Sequence, residues 1–239
     1  MPDGPLPYET ILESGIRGLT EAAVATGVPT QLNVLVDEAL ALAEGLLTSL
    51  RTLNPPEQPA DCREGCAHCC RFQVAVTPPE VLAIAEDLRQ RDDVDTVAAL
   101  AARCADLATA ERGVDAAGRV RLKRPCVLLH EERCTVYAVR PLACRGANAT
   151  DAAQCAAALD GADVRLSLYA HQANVMKAAA RGLNHAKQPE DGQLELTAAL
   201  AIALNENDAA IRWMAGEPIF AGARLPRRAT PNSDEGGNP

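Results

Sequence analysis

Apolar residues return every three or four positions along the first fifty residues. From Tyr8 to Gly27, and again from Thr30 to Leu53, Leu, Ile, Val and Ala keep this spacing, with a Gly-Val-Pro break between the two runs. One apolar stripe per run and a short break predict two helices paired as an antiparallel hairpin. The stretch "NPPEQPA" then stops the second helix with three prolines, since proline lacks the N–H that a helix interior needs. "TPPE" at Thr77 to Glu80 reads as a capping box with proline in the first turn, predicting a helix that runs to about Arg91. A further helix fits "DTVAALAARCADLATAERG", ending at Gly113, and "VDAAGRVRLKRP" reads as a polar linker. Between Cys126 and Tyr137, a short apolar run, a charged turn and a β-rich run predict a small hairpin. Helices return at about residues 151–159, 163–182, 192–206 and 207–215, with Gly161, Gly182 and Gly192 at the breaks. The end of the chain from Pro226 is polar and rich in Gly and Pro, the composition of a disordered tail. No tandem repeat at solenoid spacing is present.

These elements predict a mainly α, helical protein with an embedded cysteine-rich metal-binding module that contains a small β-hairpin. Four segments follow: a helical hairpin over 1–55, the cysteine module with inserted helices over 56–150, a helical region over 151–225 and the tail over 226–239. Composition agrees. Hydrophobic residues make up 48% of the chain but aromatics only 3%, so the core must be built from Ala, Leu and Val, which suits close helix packing better than a β-sandwich. The formal charge of −9 weighs against nonspecific nucleic-acid binding. The N-terminus has no basic region followed by an apolar one, and no stretch approaches the roughly 20 apolar residues of a membrane span. The expected location is the cytoplasm.

The nine cysteines change the picture more than any other feature. A reducing compartment argues against disulfides, which leaves metal ligation as the leading explanation. In "DCREGCAHCCRF", Cys62, Cys66, Cys69 and Cys70 form C-x3-C-x2-C-C, and spacings of two or three residues let successive thiolates converge on one centre. From an extended backbone the adjacent Cys69 and Cys70 cannot easily reach the same ion, so one of them bridges two metals, serves a second or is spare. Cys126, Cys134 and Cys144 form a second group, at separations of eight and ten residues, suited to a hairpin folded back over the first loop. Seven thiols exceed what one tetrahedral zinc uses. They suit a four-thiolate iron–sulfur cluster such as [4Fe-4S] with spares, or a binuclear zinc or iron site with bridging ligands.

Around these cysteines, over 62–71 and 119–145, nine basic residues face three acidic ones, an excess placed where thiolates need compensation. Cys104, in the middle of a predicted helix, reads as a small core residue. Cys155 lies eleven positions past Cys144 and reads either as an eighth ligand or, in preference, as core. With so many thiolates available, His68 and His130 read as loop residues rather than ligands, and His171 and His185 as polar residues of helical segments.

Together, Cys62 to Cys70 and the later "PC...C.VY..RP..CRG" resemble the cysteine-cluster family named YkgJ, a zinc- or iron-chelating domain, over about residues 60–146. The adjacent cysteine pair and the block Tyr137, Arg140, Pro141, Cys144 and Arg145 carry the resemblance. It implies metal binding and leaves the metal open. A similar motif occurs in flagellin lysine methylases beside an iron–sulfur cluster, but this chain has no glycine-rich strand-turn-helix for S-adenosylmethionine. Cys62, Cys66 and Cys69 also reproduce the radical-enzyme spacing, without the alternating strands and helices of its barrel.

Three functions fit the sequence. The first is a zinc- or iron-binding protein whose ligands are Cys62, Cys66, Cys69, Cys70, Cys126, Cys134 and Cys144. The second is a metal- or iron–sulfur-dependent enzyme acting on a peptide or small molecule, with Arg140 and Arg145 available for an anionic group. For these arginines, hydrogen bonding to sulfur is the simpler role. The third is a metal-stapled module that binds a protein partner, in which "ELTAALAIALNENDAAIRWMAG" would be an interface if it were not core.

Overall fold

A computed structural model of the protein describes residues 6–184 and 193–225. The predicted hairpin forms from α1 (Pro7–Ala25) and α2 (Gln31–Leu53). α1 stops before Gly27, whose φ of 65° lies in the left-handed region that glycine enters at no steric cost. Each helix buries its own stripe, Leu12, Ile16, Thr20 and Val24 on α1 and Leu32, Leu35, Ala39, Ala43 and Leu47 on α2.

β1 (Ala75–Val76) leads into α3 (Pro78–Arg91), and the expected capping box is present. The backbone N–H and the hydroxyl of Thr77 both donate to Oε2 of Glu80, at 2.8 and 2.6 Å. α4 (Val94–Ala110) starts at Asp93, whose side chain accepts from the N–H of Thr96. The stretch expected to be a polar linker instead contains a helix, α5 (Ala116–Leu122). No apolar stripe announces it. It is held by an Asp115 cap and by Arg119, which is buried, pairs with Glu111 at 3.2 Å and donates to the carbonyl of Arg124.

β2 (Leu129–His130) and β3 (Arg133–Cys134) make the predicted antiparallel hairpin, with Leu129 opposite Cys134. Its turn places Glu131 and Glu132 at φ of 46° and 58°, the conformation of a tight two-residue hairpin turn. α6 (Leu142–Gly146) and α7 (Ala152–Leu159) follow. The helix expected from residue 163 begins only at α8 (Ala170–Gly182). The residues before it run outside any helix, with Leu168 bridged to Ala149 and the N–H of Thr150 bonded to the carbonyl of Ser167. β4 (Leu194–Glu195) pairs antiparallel with β1 and precedes α9 (Leu196–Asn205) and α10 (Ala209–Met214). The expected helix from 192 is therefore shortened by a strand, while His185, Gly192 and the tail from Pro226 lie outside the described residues.

One hydrophobic core joins α1 and α2 to α8, and α3 and α4 to α9. α9 is apolar on most faces because it is enclosed, with Leu196, Ala199, Leu200, Ala203 and Leu204 all buried, so the late helical stretch is core. No helix among the described residues is long and apolar enough to cross a membrane. α1 and α8 approach closely at Gly182, where an added Cβ would lie 2.7 Å from Cβ of Ile16 and 2.8 Å from the carbonyl oxygen of Glu13. The hydroxyl of Thr20 donates to the carbonyl of Gly182 at 3.0 Å across the same seam. Gly182→Ala is therefore expected to destabilise the protein by about 2 kcal/mol in urea unfolding, overpacking outweighing alanine's higher helix propensity.

Candidate metal centre

The first cysteine group occupies a loop whose shape follows from a few backbone bonds. Gly65, at φ of 87°, turns the chain, and the N–H of Cys66 bonds to the carbonyl of Arg63 at 3.0 Å. Cys69 and Cys70 then sit in a 3-10 turn, His68–Arg71, with the N–H of Cys70 on the carbonyl of Ala67 at 3.1 Å. In such a turn successive side chains point about 120° apart. The adjacent pair is therefore not extended, and the two thiols can serve different neighbours.

The second group is brought to the first by the hairpin and by α6. The N–H of Cys126 donates to the carbonyl of Cys70 at 2.7 Å, which fixes the two groups against each other. Cys134 lies on β3 and Cys144 on α6. α6 is tied in turn to α3, because Oε1 of Glu80 accepts the N–H of Leu142 at 2.6 Å. Glu80 is thus both the cap of α3 and the anchor of the helix that carries Cys144.

All nine cysteines are free thiols. Cys69 lies close enough for its charge to act on Cys62, Cys70, Cys134, Cys144 and Cys155. A bond from the Cys70 thiol to the Cys69 sulfur lowers Cys69 to about 7 and drives Cys70 well up. Burial raises Cys126 to about 11 and also pushes up Cys62, Cys134 and Cys144. Three of these sulfurs accept backbone N–H groups, from Ala149 to Cys62, Leu128 to Cys126 and Val136 to Cys134. Such bonds favour the thiolate and hold a sulfur in place for ligation. Apart from Cys69, the thiols named keep their protons at neutral pH, so an incoming ion must displace them.

Cys155 belongs beside this group, although its helical context reads as core. Oδ2 of Asp61 accepts the N–H of Ala152 at 3.0 Å, and the N–H of Asp61 donates to the carbonyl of Ala149 at 2.9 Å. These bonds dock α7 on the first loop, and Cys155 is raised by burial first and then by the charges of Cys62, Cys66, Cys69 and Asp151. Nothing in the local sequence signals this, since Asp61 and Ala152 are 91 positions apart. By the charges that act on each, Cys62, Cys66 and Cys155 form one neighbourhood and Cys70, Cys126, Cys134 and Cys144 another, with Cys69 acting on both. The sulfurs are not drawn into a ready coordination sphere: among the described residues, no three His, Cys, Asp or Glu side chains stand at metal-holding spacing. The chemistry of the donor set, eight soft thiols in a chain of reduced cysteines, nonetheless suits zinc or iron.

Most of the basic residues expected to offset the thiolates are engaged elsewhere. Arg63 pairs with Asp61, Arg71 with Glu132, Lys123 with Asp160, and Arg119 and Arg124 with Glu111. Arg140 does act on the thiols, favouring ionisation of both Cys69 and Cys134, and Arg119 does the same for Cys126. Arg140 stacks 3.8 Å over the ring of Tyr137 and donates to its carbonyl, while Arg145 donates to the carbonyls of Ala138 and Arg140. Their described bonds thus go to backbone oxygen rather than to sulfur.

His130 is exposed on the hairpin turn, 4.0 Å from Glu131. On α8, Nδ1 of His171 is bonded to the Tyr8 hydroxyl at 2.6 Å. Cys104 is fully buried on α4, where burial raises it to about 12. Cys104→Ala should cost about 1 kcal/mol of stability in urea unfolding and leave the metal content measured by elemental analysis unchanged.

Residues 61–161 match a family model named CxxCxxCC and described as "Putative zinc- or iron-chelating domain", consistent with the cysteine-cluster family that the motif resembles. No curated protein and no solved structure matches the chain.

Proposed function

We propose that this domain gives the protein a resident zinc or iron centre of more than one ion, held by Cys62, Cys66, Cys69, Cys70, Cys126, Cys134 and Cys144 with Cys155 as the eighth thiolate. The observation that carries the reading is the meeting of the two cysteine groups, fixed by the bond from the N–H of Cys126 to the carbonyl of Cys70. Cys62, Cys66, Cys69 and Cys155 would serve one ion and Cys70, Cys126, Cys134 and Cys144 the other. Four thiolates complete a tetrahedral ion, so eight serve two. The bound centre supplies cross-links between the 60s loop, the hairpin, α6 and α7. The chain's own residues orient the sulfurs through backbone N–H bonds, and Arg140 offsets their negative charge.

Protein purified without oxygen and assayed for metal and acid-labile sulfide tests this. The expected result is about two metal ions per chain, or an iron–sulfur cluster with labile sulfide and a band near roughly 400 nm that dithionite bleaches. Protein that folds and stays folded without retaining any metal would overturn the proposal.

A further inference from the structure

Beside the thiols lies a cavity of about 160 Å³ that metal binding does not use. α2 contributes Asn33 and Asp37 to its wall, α3 contributes Asp87, the turn between the hairpin and α6 contributes Arg140, and α6 contributes Arg145. The volume is below the roughly 300–1,000 Å³ of sites for drug-sized ligands, so the occupant has only a few heavy atoms.

Arg140 and Arg145 supply the positive charges of the lining and Asp37 and Asp87 negative ones, while the Glu80 carboxylate, also in the lining, is already taken up by Thr77 and Leu142. Arg140 is held by its stack on Tyr137, and its described hydrogen bonds engage only Nη1, with the Tyr137 carbonyl. Its remaining donors stay open to a carboxylate, for which a planar guanidinium is a fitted partner. Arg145 is occupied, giving its donors to two carbonyls and lying 3.5 Å from Glu44. On the acidic side, Asp37 makes no described hydrogen bond or ion pair. Oδ2 of Asp87 is buried without a hydrogen-bond partner, and its only described ion pair is with Arg91 at 3.3 Å. That oxygen lies 3.3 Å from Nη1 of Arg91, on a side chain about a third exposed, and it keeps lone pairs for a further donor.

From these walls we propose that the cavity binds a small zwitterion, its carboxylate on Arg140 and its ammonium group between Asp37 and Asp87. Neither a lone anion nor a lone amine satisfies both sides. The site stands independently of the metal, although Arg140 borders both.

Calorimetric titration of the protein as purified with glycine, β-alanine, 4-aminobutyrate and 5-aminopentanoate tests the proposal, with butyrate and butylamine as controls. Saturable binding of at least one zwitterion, about tenfold tighter than either control, is expected, because each control loses one charge-assisted contact. Arg140→Gln and Asp37→Asn should each weaken that binding about tenfold. Asp37 is exposed on α2 and remote in sequence from the cysteines, so Asp37→Asn decides the matter if Arg140→Gln does not fold. Absence of saturable binding, controls that bind as tightly as the zwitterions, or an Asp37→Asn protein that binds like the original would each overturn the proposal.

Discussion

Cys144→Ala is expected to remove at least one of about two metal ions and to lower the thermal midpoint by more than about 10 °C. Cys144 sits on α6, the charges of Cys126, Cys69 and Cys134 bear on it, and burial raises its thiol strongly. A buried, protonated thiol gives little back to the apo protein, so under the proposed ligand set the effect would come from lost ligation. In the proposed ligand set, removing it would leave one ion with three thiolates on the side where α6 meets the hairpin. Because a bound metal contributes binding energy as folding energy, metal content and midpoint must fall together. Elemental analysis and a thermal scan of the same sample check this, and loss of stability with full metal retention would remove Cys144 from the ligand set.

The second large effect is expected at Glu80, which touches no sulfur. Its carboxylate accepts from the N–H and hydroxyl of Thr77 and from the N–H of Leu142. Glu80→Ala leaves two buried backbone donors unpaired, at about 1–3 kcal/mol each, and detaches the helix of Cys144 from α3. The expected results are a loss of about 3 kcal/mol in urea unfolding and a metal dissociation rate raised about tenfold, as for other groups that orient ligands. Burial raises the Glu80 carboxyl above its ordinary 4.5, against the lowering pull of its three hydrogen bonds and of Arg145. The folded state therefore holds this proton more tightly than the unfolded state. The stability it confers is complete below about pH 4.5 and declines as pH rises through the folded value. Glu80→Gln should remove that part of the pH dependence while restoring some of the stability that Glu80→Ala loses. Parallel urea titrations at several pH values follow both effects.

What the sequence revealed and concealed divides by the range of the interactions. α1 and α2 were legible because one apolar stripe each, ended by Gly27 and by the prolines after Asn54, defines them locally. The start of α3 was legible because Thr77 and Glu80 are three residues apart. The same logic exposed the two cysteine groups. α5 was hidden because a buried arginine paired with Glu111, rather than an apolar face, holds it in place. Cys155 reads as core and is buried, on a largely apolar helix, and only the long-range bonds of Asp61 bring that helix onto the cysteine loop. The vicinal pair was difficult for an extended chain, and the 3-10 turn at His68–Arg71 removed the difficulty. Arg140 was legible as a member of a motif, but its stack on Tyr137 and its position between the thiols and a cavity emerge only from the fold.

Native mass spectrometry of the intact protein, compared with the same sample unfolded in acid, tests the central claim most directly. The account predicts a native mass that exceeds the acid-unfolded mass by about two metal ions, less the protons that the thiols release. The Cys155→Ala and Cys126→Ala proteins should each lose at least one ion. A native mass equal to that of the bare chain, or metal retained in full by both variants, would contradict a centre built from the two cysteine groups.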